Sequence, residues 1–285
     1  MGELELVINA KATLGEGPCW DNKKQLLYWV DILEKKVHIY NPLTNEDKEI
    51  FLGQMVGSVV PSASGELILA LENGFYSLNL DTEELQFISD PESHLQENRF
   101  NDGKCDPAGR FWAGTTDSVG INGDGALYCL DTDLTVKKKL DQVSTSNGLA
   151  WSLDHKAMYF IDTPTKKVVR FDYDIHTGHI ENPQDVIHIS KEEGLPDGMT
   201  IDEEGMLWIA HWGGSKVSRW NPINGEQLLT IPIPTLYVTS CTFGGIDLNE
   251  LYITTATMHN TDAGAGAVFR IKTTVRGCPT YQFGR

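Results

Sequence analysis

Residues 147–161 read NGLAWSLDHKAMYFI, and residues 197–209 read DGMTIDEEGMLWI. Both open on an amide or carboxylate followed by Gly, reach a polar residue five places on, turn, and close on a β-rich run. The pattern recurs as EGPCWDNKKQLLYWV at 16–30 and NDGKCDPAGRFWA at 101–113. Weaker copies are GSVVPSASGELIL at 57–69 and SCTFGGIDLNELYI at 240–253. Aligned on Asp21, Ser62, Asp106, Ser152 and Asp202, the copies start at Glu16, Gly57, Asn101, Asn147, Asp197 and Ser240; the sixth departs, with Gly245 at the aligned place. The starts are 41, 44, 46, 50 and 43 residues apart, the length of a four-stranded propeller blade.

Short strands such as Leu26–Val30, Lys36–Tyr40 and Val168–Phe171 alternate with turns rich in Asn, Asp, Pro and Gly, and no stretch sustains a helical period. The expected fold is therefore all-β: a six-bladed β-propeller, one domain over residues 1–285. Six near-equal units disfavour a sandwich. From the start of the sixth copy at Ser240 only about 45 residues remain, so the extended segment Leu4–Ile8 is expected to close the last blade beside Ala267–Ile271.

Composition narrows the partners. The net charge of −17 repels phosphate backbones and anionic membranes, so neither nucleic acid nor membrane is expected. Five cysteines, Cys19, Cys105, Cys129, Cys241 and Cys278, show no CxxC spacing; an odd number without pairing reads as reduced thiols in a cytoplasmic protein. The first residues, Met1–Glu5, lack the apolar run of a signal peptide, and no window has the apolar length of a membrane span.

In a propeller the innermost strand of each blade lines the axis, so equivalent positions near its start face one another. Four such positions are Glu16, Asn101, Asn147 and Asp197. Taken singly, Asn147-Gly148 and Asp197-Gly198 are ordinary turn pairs. Their shared register with Glu16, a poor turn former, points instead to a ring of oxygen donors. Such a ring suits a hard cation better than a dedicated zinc site, which would use His or Cys. Two carboxylates in one channel also need a cation or a proton between them.

The segments Leu14-Gly15-Glu16-Gly17-Pro18, Arg99-Phe100-Asn101-Asp102-Gly103-Lys104, Ser146-Asn147-Gly148-Leu149-Ala150-Trp151, Leu195-Pro196-Asp197-Gly198-Met199 and Cys241-Thr242-Phe243-Gly244-Gly245 resemble the senescence marker protein (regucalcin), gluconolactonase and luciferin-regenerating enzyme family, along essentially the whole chain. The resemblance implies metal ligands at Glu16, Asn147 and Asp197, a general base at Asp197, and substrate contacts at Arg99 and Asn101. Some relatives carry a substrate-binding Glu on the loop after AGT. Here Ala113–Gly120 reads AGTTDSVG, without that Glu, and Asp117 is the candidate replacement.

The implied function is a divalent-metal-dependent lactonase that opens sugar lactones such as gluconolactone to the acid. Calcium is the first expectation, with zinc, manganese or magnesium as alternatives. The chain would act on a small-molecule lactone as a monomer or weak homodimer. Alternatives are a phosphotriesterase-like hydrolase and a non-catalytic calcium-binding regulatory protein. No GxSxG nucleophile device is present. The eight histidines read mostly as surface residues, His211 as a loop residue, and the seven tryptophans as packing between blades.

Overall fold

The structure, a computed structural model, describes residues 1–117, 119–258 and 260–284; Ser118, in the loop read above, lies outside them. The fold is all-β and of the propeller type. After β1 (Leu4–Ile8), the strands β2 (Gly15–Asp21), β3 (Leu26–Asp31), β4 (Lys36–Asn41) and β5 (Glu46–Phe51) form an antiparallel sheet in chain order. Three more sheets repeat this plan. They are β6 (Val56–Pro61), β7 (Leu67–Leu71), β8 (Gly74–Leu78) and β9 (Leu85–Ser89); β10 (Arg99–Cys105), β11 (Phe111–Thr116), β12 (Gly125–Leu130) and β13 (Val136–Val143); and β14 (Ser146–Trp151), β15 (Ala157–Asp162), β16 (Lys167–Asp174) and β17 (His179–His188).

An eight-stranded sheet holds the rest: β18 (Leu195–Ile201), β19 (Leu207–Trp212), β20 (Lys216–Asn221), β21 (Glu226–Pro232), β22 (Tyr237–Gly244), β23 (Glu250–Ala256), β24 (Val268–Lys272) and β1. Its two halves meet through one residue pair, Trp212 opposite Tyr237. Strand β1 pairs antiparallel with β24, Leu4 opposite Ile271 and Glu5 opposite Arg270. The first strands touch in a cycle: β2 to β6, β6 to β10, β10 to β14, β14 to β18, β18 to β22, and β22 back to β2.

Burial follows distance from that cycle. Strands β2, β6 and β14 are buried at every position, whereas most residues of β5, β13, β17 and β21 are exposed or half-buried. The second strands, such as β3 (LLYWVD), β7 (LILAL) and β19 (LWIAHW), therefore read as near-continuous apolar runs, whereas the first strands bury polar and charged residues such as those of β2 (GEGPCWD) and β10 (RFNDGKC). Trp20, Trp29, Trp112, Trp151, Trp208 and Trp220 lie in the core as expected, but Trp212 is half-buried.

The aligned polar residue of each repeat has a local task. Asp106 Oδ1 accepts from the Ala108 and Arg110 amides and its Oδ2 from Trp112 Nε1. Asp202 repeats this with the Glu204 and Met206 amides and Trp208. One carboxylate thus caps the hairpin and fixes the tryptophan of the next strand.

After β24 the chain crosses the hairpin ends of the sheets. Gly277 N donates to Leu248 O and Cys278 N to Ile201 O. Tyr281 meets His155, Phe283 N donates to Pro61 O, and Gly284 N to Gly109 O. Among the described residues no helix is long and apolar enough to cross a membrane, and all five cysteines are free.

Candidate active site

Every strand of the inner cycle carries one extra residue at the same level. The partner register slips between Glu16 and Cys19, Val56 and Ser58, Phe100 and Gly103, Ser146 and Leu149, Pro196 and Met199, and Val238 and Ser240. A bulge re-aims side chains that strict alternation would send to opposite faces of a sheet. In the sixth strand the extra residue is Thr239, one place before the expected Ser240. Gly17 follows Glu16 at φ +52, a conformation glycine adopts without strain. At Gly198 a Cβ would collide with Ser240.

The bulges bring together Glu16, Asn101, Asn147 and Asp197, all buried. With Arg99 they floor a pocket of about 350 Å³. The polar side chains are threaded on one hydrogen-bond chain. Arg99 Nη1 donates to Asn101 Oδ1 at 2.8 Å, and Asn101 Nδ2 donates to Asn147 Oδ1 at 3.1 Å. Asn147 Nδ2 donates to Thr163 Oγ1, which donates to Pro196 O, each at 2.8 Å. Thr163 thereby links Asn147 to the residue preceding Asp197, a role that no sequence motif signalled.

The carboxylates are under electrostatic stress. Burial, then the charge of Asp102, pushes Glu16 up to about 8. Burial, then Glu16 and Asp102, raises Asp197 well above the carboxylate range. Among the described residues Asp197 Oδ1 has no hydrogen-bond partner, and Glu16 Oε2 accepts the adjacent Gly17 amide at 2.9 Å. Asp102, also raised by burial, was not singled out from sequence. The bulge sends Asn101 into the open pocket and Asp102 into a second, more enclosed cavity of about 60 Å³, lined also by Lys104 and the Cys278–Tyr281 segment.

These residues fit a hard divalent cation. The donors are carboxylate and amide oxygens, one buried carboxylate oxygen is orphaned, and the two acids disfavour each other's ionisation unless a positive charge joins them. Among the described residues no group of three His, Cys, Asp or Glu side chains is placed to hold a metal. The third donor of the set would be the Asn147 amide.

Asp117 lies apart from the floor. Its Oδ1 accepts the Val119 and Gly120 amides, so it shapes its own loop, and the pocket is lined by Val119, Gly120 and Ile121 instead. His211 is not a loop residue either. It is fully buried on β19 between Glu193 O and Ser218 Oγ, and His38 is buried against Trp29.

Residues 14–257 match the SMP-30/Gluconolactonase/LRE-like family. The chain is 44% identical over 257 residues to a Bacillus subtilis (strain 168) protein that bears the name sugar lactone lactonase YvrE, covering 90% of this chain and 88% of that one. It is 39% identical over 293 residues to regucalcin of Oryctolagus cuniculus, covering 99% and 98%. Among solved structures, a calcium-binding protein, regucalcin, from Agrobacterium tumefaciens superposes with a TM-score of 0.94 at 26% identity, covering 100% of this chain and 98% of that one.

Proposed function

The chain belongs to the SMP-30/Gluconolactonase/LRE-like family, and on that premise we propose that it is a divalent-cation-dependent lactonase whose site is the floor of the 350 Å³ pocket. The observation that carries the proposal is the convergence of Glu16, Asn147 and an orphaned Asp197 oxygen beside Arg99. We read the strand cycle and the β1–β24 pairing as a six-bladed propeller closed by its N-terminal strand, one domain over residues 1–285. The chemistry needs a small lactone and no macromolecular partner. We further propose a cytoplasmic monomer or weak homodimer, the location being the part that free thiols support.

Glu16, Asn147 and Asp197 would hold the cation, which supplies Lewis-acid polarisation of the lactone carbonyl. Asp197 accepts a proton from the water that attacks the carbonyl carbon. Arg99 is positioned by Asn101 and faces the oxygen on which negative charge develops. The new C–O bond forms, the ring C–O bond breaks, and the proton held by Asp197 passes to the departing alkoxide. Asn101 orients the substrate indirectly, through Arg99 and Asn147, to which it is hydrogen-bonded.

The likeness to a protein named as calcium-binding supports a second reading, cation binding without turnover. One experiment separates the two. Lactones, gluconolactone included, are assayed after chelation and after add-back of calcium, zinc, manganese or magnesium. The proposal expects hydrolysis that disappears on chelation and returns with metal. Calcium binding with no turnover of any lactone would establish the second reading.

A further inference from the structure

Above its polar floor the pocket is apolar. Its walls are Leu14, Val119, Ile121, Leu195, Trp212 and Met258. Val119 and Ile121 are 61% and 65% exposed, too open to be core residues. They are nonetheless held in place. Asp117 Oδ1 accepts the Val119 amide at 2.8 Å, and Thr145 Oγ1 donates to Gly120 O at 2.7 Å. Trp212 is fixed opposite them by packing on Tyr237, ring centroids 4.4 Å apart.

Apart from the proposed cation ligands and Arg99, the polar side chains of the described residues lining the pocket are committed to one another. The Asn101 amide serves Ser146 O and Asn147, and its oxygen accepts from Arg99. Thr145 is spent on Gly120, and Thr163 on Pro196. A polyhydroxylated ring in this pocket would bring several hydroxyls against Leu14, Val119, Ile121, Leu195, Trp212 and Met258, whose side chains, Trp212 apart, carry no hydrogen-bonding group, which is costly. An alkyl or aryl substituent would instead bury apolar surface against a preformed wall.

We propose, resting on the lactonase reading above, that the preferred substrate is a lactone bearing an apolar arm, and that Val119, Ile121 and Trp212 select it. The test is kcat/KM, with saturating divalent cation, for γ-lactones whose side chain grows from hydrogen to hexyl, beside D-glucono-δ-lactone. Specificity is expected to rise about three- to fourfold per added methylene until the wall is filled, passing gluconolactone. The double variant Val119→Ser/Ile121→Ser should flatten that slope. Ile223→Ser, which removes an exposed side chain outside the pocket, should leave it intact.

Calorimetric binding of the corresponding alkyl lactams gives a second readout that needs no turnover. Turnover with a flat or falling series, gluconolactone preferred, overturns the apolar-arm assignment and leaves the lactonase standing. Length-dependent lactam binding without hydrolysis of any lactone supports the assignment and removes the lactonase. Lactam binding that ignores length overturns the assignment.

Discussion

Thr163 shows what one hydroxyl does in this site. It accepts from the Asn147 amide and donates to the carbonyl before Asp197, so it orients two of the three proposed ligands from neighbouring sheets. Thr163→Val keeps the shape and strands a buried amide and carbonyl. Calcium affinity, measured by titration calorimetry, and kcat/KM should both fall about 10- to 100-fold, with Thr163→Ser restoring them. A valine variant with a lowered Tm but unchanged affinity and turnover would make Thr163 merely structural. The candidates Glu16, Asn101, Asn147 and Asp197 were legible because each opens a repeat. Thr163 was not, because DTPT at 162–165 reads as a turn, and its reach to Asn147 is set by packing between sheets. Asp102 was hidden for a related reason: only a bulge lets two consecutive side chains serve two chambers of one channel.

At the scale of the element, the readable signal was the hairpin after each inner strand. Asp106 and Asp202 bind their own turn and the next tryptophan, and that local chemistry fixed the repeat register. The sixth copy has Gly245 there, at φ +79; without the capping side chain the alignment slipped by one residue to Ser240. Strand β19 carries a second element-level consequence. Burial, reinforced by the charge of Lys216, lowers His211 to about 4 from 6.5. The fold holds the neutral ring, with Nδ1–H donating to Glu193 O and Ser218 donating to Nε2. As pH falls below 6.5 the unfolded chain takes up a proton that the folded chain refuses. Stability is therefore lost between about 6.5 and 4, by roughly 3 kcal/mol for this group. Denaturant unfolding of wild type and His211→Gln at pH 7 and 4.5 isolates the contribution. The acid-induced loss should be smaller in the variant, and equal losses would mean that His211 titrates alike in both states.

At the scale of the whole molecule, six strands far apart in sequence meet at one axis and place three buried acids within electrostatic reach of one another. The fold class was legible because a repeat of 41–50 residues leaves few architectures. The apolar walls of the pocket were not, since Val119, Ile121, Leu195 and Trp212 lie outside the repeat register and meet only when the sheets close on each other. Gathering like charges without solvent is unfavourable by itself, so the arrangement makes sense as a seat for a cation and a proton acceptor. Asp197 is the residue on which both roles rest. The direct test measures bound metal and kcat/KM for Asp197→Asn and Asp197→Ala side by side, with circular dichroism to confirm folding. The account predicts folded proteins whose turnover falls at least about a hundredfold in both variants, with metal lost in Asp197→Ala. An Asp197→Asn protein that keeps its metal and hydrolyses lactones at a near-normal rate would contradict it, leaving Asp197 a structural residue of the β18 bulge.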